Sequence, residues 1–240
     1  MTALAPEAEI YDVLSEMLLS SALPPGLRLG EMELAAAFGV SRERIRKVLQ
    51  RLGTERLIEL IPNRGAFVAN PTLSTAREIY DARRMLESGL LLMLANTLSS
   101  AQVDELEAHL AQEHEASHQG DRARAVQLSG EFHLRLAEMS GNPFMIRYVQ
   151  EMVSRTSMLV ALFEDAAPTC GLSEHRDIVN ALRQRNGPLA AQMGTVHLSL
   201  IETRLRFAEH APAASVDLTA LVKTRIKSRS RRPKPSGRRQ

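Results

Sequence analysis

The chain has 240 residues, 44% hydrophobic and 24% charged, with 4% aromatic residues, no tryptophan and one cysteine. These values exclude an internal disulfide framework and fit a soluble protein of a reducing compartment, with room for two domains whose cores are built mainly of Leu, Ala, Val, Ile and Met. The formal net charge of +2 conceals an uneven distribution: residues 1–70 hold 8 Lys/Arg against 9 Asp/Glu, residues 71–222 hold 13 against 19, and residues 223–240 hold 9 against none.

The opening MTALAPEAEIYD lacks the basic and apolar segments of a leader, and no stretch reaches the ~20 apolar residues of a membrane span, so the expected location is the cytoplasm. Ile10, Val13, Leu14, Met17 and Leu18 recur at helical spacing, and Leu23-Pro-Pro-Gly stops that helix. A short helix over Glu31–Phe38 ends at Gly39, and Ser41 caps a third that runs to about Leu52. Two β-prone runs, Leu57–Ile61 and Ala66–Ala69, flank Pro62-Asn63-Arg64-Gly65, which predicts a hairpin. Helix, helix-turn-helix and hairpin in this order make a winged helix over residues 1–70.

After Pro71 the pattern is helical throughout, with helices expected near 75–97, 101–119, 121–140, 143–165, 173–186 and 188–210, and a weaker one at 215–226. Breaks such as Gly120, Gly141-Asn142-Pro143 and Asn186-Gly187-Pro188 end or restart helices. The predicted fold is mainly α: a winged helix-turn-helix with a small β-hairpin wing, then an all-α six- or seven-helix bundle over 71–222. Residues 223–240 form a basic tail that is expected to be disordered in isolation, either as a solubilising segment or as a phosphate contact without sequence preference.

In the third helix Ile45, Val48, Leu49 and Leu52 form a buried stripe. The opposite side carries Arg42, Glu43, Arg46, Lys47 and Gln50. Charges opposite a stripe suit any surface helix, but the third helix of a winged helix enters the major groove, where arginine donates to guanine and glutamate accepts from cytosine. From Arg42 to Arg64 there are 7 basic residues against 3 acidic, and Asn63, Arg64 and Gly65 at the hairpin tip make a cationic wing. Among the seven histidines, His109, His114, His118 and His210 have polar neighbours and read as surface. His133, His175 and His197 lie on apolar faces of separate helices. Each alone reads as a core residue; together they fit a metal site if the helices converge.

The segment MELAAAFGVSRERIRKVLQRL followed by LIELIPNRGAFVA resembles the GntR family of bacterial transcription regulators over most of residues 10–70. The resemblance implies DNA contacts by Arg42 and Arg46 and a wing at Arg64 and Gly65. Glu43-Arg44 stands where Thr-Pro is common, Lys47 replaces a usual glutamate, and Met32 stands where some branches place an arginine, so the operator sequence does not transfer. EFHLRLAEMSGNP, SEHRDIVNALRQRN and GTVHLSLIETRL resemble the histidine segments of the FCD domain of the FadR branch (VanR-like). This implies that His133, His175 and His197 hold a divalent metal, zinc or nickel. Ser129 occupies the position where an Asp or Asn is usual, which leaves the fourth site to water or to the effector. YDARRMLESGL resembles that domain's opening helix, and Arg83 either contacts a carboxylate effector or pairs with Glu87 four residues on.

The resemblance implies a homodimeric regulator, most often a repressor, that binds a near-palindromic double-stranded DNA operator under control of a small carboxylate metabolite. A metal-dependent hydrolase with Glu174 as base is the alternative, although Glu174 points about 100° away from His175 on a helix; a non-specific helical interaction module is another.

Overall fold

The computed structural model describes residues 6–164, 172–207 and 216–230. Cys170 and His210 lie outside the described residues. Helix α1 (Glu7–Leu19) precedes the helix-turn-helix of α2 (Glu31–Phe38) and α3 (Arg42–Thr54), and β1 (Ile58–Ile61) pairs antiparallel with β2 (Gly65–Val68). Each boundary has a local cause. Gly39 closes α2 in the left-handed region at φ 68°, and the Ser41 side chain accepts from Arg44 N at the start of α3. In the wing, Pro62 and Asn63 make the turn: Asn63 takes φ 60° and Arg64 N–H donates to Ile61 O at 3.0 Å, the geometry that favours Pro then Asn at its centre. Residues 27–29 add a short third rung, with Leu29 N–H donating to Ala66 O and Val68 N–H to Leu27 O, both at 2.9 Å.

The bundle comprises α4 (Leu73–Thr97), α5 (Ser100–His118), α6 (Arg122–Met139), α7 (Pro143–Phe163), α8 (Leu172–Arg183) and α9 (Gly187–Arg204). Thr72, Ser99, Asp121, Asn142 and Asn186 cap five of these through their side chains, which satisfies N–H groups that helix starts leave open. Its core joins Leu90, Leu94, Leu106, Phe132, Leu136, Val153, Ile178 and Leu182. Among the described residues, no helix is long and apolar enough to cross a membrane.

Three expectations need correction. Helix α9 stops at Arg204 rather than near 210, because Leu205 turns to bridge Glu164. The last helix, α10 (Leu218–Ser230), runs through residues 223–230, which the charge pattern assigns to the disordered tail. It also leaves the bundle: Leu218 and Val222 are buried in the same cluster as Leu14, Leu34, Phe38 and Val48 of the winged helix. Apolar positions 218, 222 and 226 share one helical face, and that face docks on the N-terminal unit. Residues 231–240 lie outside the described part.

The two units also meet directly. Helix α1 packs on α6 and α7, Ser21 Oγ donates to Ala161 O, and Arg56 pairs with Glu151 at 3.6 Å.

Candidate functional site

Helix α3 buries Ile45, Val48, Leu49 and Leu52, so its cationic side faces solvent. The structure gathers Arg42, Arg46, Gln50, Asn63, Arg64 and Gly65 along one groove between α3, the start of α2 and the wing. Glu43 and Lys47 are exposed outside this groove and pair with each other at 3.9 Å. Arg44 is half-buried and does not line it. Two groove residues escaped sequence reading. Arg28, exposed on the rung beside β2, carries no periodic signal. Glu31 accepts from Arg46 Nε and Nη2, both at 2.9 Å, and lies 3.4 Å from Arg42 Nη2; the Arg46 hydrogen bonds hold its carboxyl below the usual range. A side chain on α2 thus orients two arginines of α3. Met32, beside Glu31, is an exposed methionine at the groove edge.

In the bundle, α6, α8 and α9 bring His133, His175 and His197 together. Their Nε2 atoms are 3.2 Å (133 to 197), 3.3 Å (133 to 175) and 3.0 Å (175 to 197) apart, and all three rings are buried. Each Nδ1 faces a carboxylate: His133 donates to Glu87 Oε2 at 2.7 Å, His175 to Glu113 Oε2 at 2.9 Å, and His197 to Glu174 Oε2 at 3.1 Å. A carboxylate at Nδ1 puts the proton there and turns the Nε2 lone pair inward.

Electrostatics agree with neutral rings at His133 and His197. Burial, opposed by Glu87, pushes His133 down to about 4. Burial, with His175 and His133 beside it, holds His197 well below the ordinary imidazole value. Burial by itself raises Glu87, but Arg83 and His133 overcome it and bring the carboxyl down to about 2. Three inward lone pairs with no proton between them repel in a dry core, and a cation relieves this. Tetrahedral donors at about 2.0–2.1 Å from zinc stand about 3.3 Å from one another, close to the spacing found. The donor set therefore fits a divalent metal. Phe132 stacks on His175 with centroids 4.2 Å apart and closes one side.

On the other side lies a cavity of about 50 Å³, room for a few water molecules at ~10–15 Å³ each. His133, Ser129, Arg83, Tyr80, Thr156 and Arg204 line it. Arg83 makes the ion pair: Nε pairs with Glu87 Oε1 at 2.5 Å and Nη1 donates to Thr156 Oγ1 at 2.6 Å, while Nη2 and the buried Tyr80 hydroxyl have no partner among the described residues. Ser129 is half-buried on the cavity wall.

Of the histidines expected at the surface, His114 and His118 are exposed. His109 is buried, contrary to expectation, because Nε2 bonds Leu128 O at 2.8 Å and Arg135 Nε donates to Nδ1 at 3.1 Å. The suggested base Glu174 is engaged by His197 and stands 3.8 Å from Arg204, an outer partner of the site.

Comparison with known proteins places this arrangement. Residues 6–68 match the model of bacterial regulatory proteins of the gntR family, and residues 78–200 match the FCD domain. An HTH-type transcriptional regulator of an unstable DNA locus in Streptomyces ambofaciens is 29% identical over 90% of this chain and 92% of its own. The HTH-type transcriptional repressor RspR of Escherichia coli is 24% identical over 82% of this chain and 88% of its own. The crystal structure of a GntR regulator from Rhodococcus sp. RHA1 superimposes with a TM-score of 0.68 at 25% identity, covering 82% of this chain and 95% of that one.

Proposed function

This chain belongs to the gntR family of bacterial regulatory proteins, with an FCD domain as its C-terminal part, and from that premise we propose that a small carboxylate metabolite controls how it binds its operator. It is a DNA-binding transcription regulator. His133, His175 and His197 hold a divalent metal, zinc or nickel, and the metal supplies a Lewis-acid anchor for the carboxylate. The observation that carries this reading is the convergence of three Nε2 lone pairs, each fixed by a carboxylate at Nδ1. Arg83 Nη2 and the Tyr80 hydroxyl, both unpartnered in the cavity, supply donors for the ligand's oxygens, and Ser129 lines the place left for it.

The DNA face consists of Arg42, Arg46, Asn63, Arg64 and Gly65 in the groove, with Glu43, Arg44 and Lys47 on the flanks of α3. Met85, Leu92 and Met93 on α4 and Val196 and Leu200 on α9 are exposed, and this apolar face is the homodimer contact that sets two winged helices on a near-palindrome. The repressor name of a relative favours repression relieved by ligand, in the cytoplasm with the DNA.

Coupling has a physical route. Glu87 and Arg83 lie on α4, which starts at Leu73 just after the wing, and α1 of the winged helix packs on α6, the helix of His133. A ligand that favours one setting of these helices shifts the spacing of the two reading heads by its differential affinity. Metal analysis and native mass spectrometry of the purified protein, followed by gel shift on the promoter beside its own gene with and without candidate acids, test this. His175→Ala is expected to lose the metal and the response while keeping sequence-selective DNA binding. A parent protein that takes up no divalent metal, or makes no sequence-selective shift, overturns the reading.

A further inference from the structure

We infer that His114 and His118, at the C-terminal end of α5, bind a divalent transition-metal cation on the surface, separately from the three histidines of the core. They bracket the stretch His114-Glu115-Ala116-Ser117-His118. Residues four apart share one face of a helix, and this is the spacing at which a helix grips zinc through two imidazoles. Both side chains are exposed, and their rings stand 5.6 Å apart between centroids at an angle of 69°. The core rings of His133 and His175 stand at 5.1 Å and 77°, with Nε2 atoms 3.3 Å apart. The surface pair thus already holds nearly the relation of two core rings. Imidazole rotation is soft, so a small turn brings one nitrogen of each ring onto the same cation.

The surroundings favour a cation and limit what it does there. Ser100–His118 carries five acidic residues and no Lys or Arg. The pair spans the last turn of α5, where helix carbonyls lack intrahelical partners and carry partial negative charge. Glu115 points about 100° away from His114 on the helix and accepts from Gln119 Nε2 at 2.5 Å, so it is not placed as a base. Among the described residues, the core trio is the only group of three or more His, Cys, Asp or Glu that could hold an ion. Two imidazoles are therefore the protein's whole contribution, with water completing the shell, which makes a binding site and not a hydrolytic one. Imidazole donors select copper, nickel or zinc over magnesium and calcium. Two donors hold a cation less tightly than three, so this site fills after the core. Once filled, it clips the last turn of the helix whose Glu113 accepts from His175 Nδ1 at 2.9 Å.

The test counts nickel ions bound per chain by equilibrium dialysis of untagged full-length protein against excess nickel, for the parent, His114→Ala and His118→Ala. Both substitutions fall on exposed helical positions, where alanine keeps the helix. Each variant is expected to bind one nickel ion fewer than the parent, and magnesium in place of nickel is expected to show no such difference. Equal nickel counts in the parent and both variants overturn the proposal. A loss in one variant alone also overturns it, since a single imidazole then suffices, and an equal difference with magnesium overturns the imidazole assignment. His175→Ala separates this site from the core: it should keep the ion that His118→Ala loses. If the core takes up no metal, the one-ion difference between parent and alanine variants remains, so the proposed effector site falls and this one stands.

Discussion

Glu87 ties two functional groups together: one oxygen accepts from His133 Nδ1 at 2.7 Å and the other from Arg83 Nε at 2.5 Å. One carboxylate therefore fixes the tautomer of an imidazole in the three-histidine cluster and the pose of an arginine whose unpartnered nitrogen faces the cavity. Glu87→Gln keeps the shape and removes the charge. It is expected to weaken zinc binding about 10–100-fold, the usual effect of losing such an outer partner, measured by competition with a chromogenic chelator. An unchanged zinc affinity would show that His133 is oriented by packing alone. Glu87→Ala is a harsher change, since it leaves the Arg83 cation buried without its partner.

The metal-free protein is expected to lose stability on mild acidification. The folded value of His133, about 4, lies below the ordinary imidazole value near 6.5. Between these limits the unfolded chain binds a proton that the folded chain refuses, so stability falls as pH drops through this window and the loss levels off below it. The ceiling for His133 is roughly 3 kcal/mol at ~1.4 kcal/mol per unit. His197 acts in the same direction. Urea midpoints of chelator-treated protein at about pH 7.5, 6 and 5 read the slope, and His133→Gln should flatten it.

Arg46→Ala is expected to cost about 1–3 kcal/mol on the selected operator and to relax preference at one base pair. Glu31→Gln should act differently. It releases Arg46 and Arg42 from the carboxylate that now orients them, so discrimination between operator and random duplex falls while non-specific affinity rises. Fluorescence anisotropy on both duplexes separates the two effects. Equal affinity of parent and Arg46→Ala for the operator removes Arg46 from the reading set.

Leu92→Arg places a charge in the exposed apolar face of α4. It is expected to yield a monomer by sedimentation, with zinc content kept and operator affinity reduced at least tenfold, because two half-sites are no longer bound together. A variant that remains dimeric moves the interface elsewhere on the molecule.

Much of this was legible along the chain. The α3 stripe, the Ser41 cap, the Pro62-Asn63 turn and the bundle breaks act through neighbours within four residues, and sequence carries that information directly. Apolar helix faces singled out His133, His175 and His197, and the resemblance to FCD segments implied that they converge. The outer partners Glu87, Glu113 and Glu174 were not legible as such, because they lie 46, 62 and 23 residues from the histidines they hold and look like ordinary acids of amphipathic helices. His109 misled for the same reason: polar neighbours in sequence place it at the surface, and its partners come from α6.

What the sequence determined by itself was the element order, the reading helix and the chemistry of the donors, since helices, caps and turns answer to local sterics and hydrogen bonding. Only the tertiary structure decided where those elements were spent. Packing brought three Nε2 atoms within 3.3 Å, set Glu31 across from Arg46, and laid α10 on the winged helix rather than on the bundle. An apolar stripe states that a helix must be covered; which surface covers it depends on the shapes of all the others.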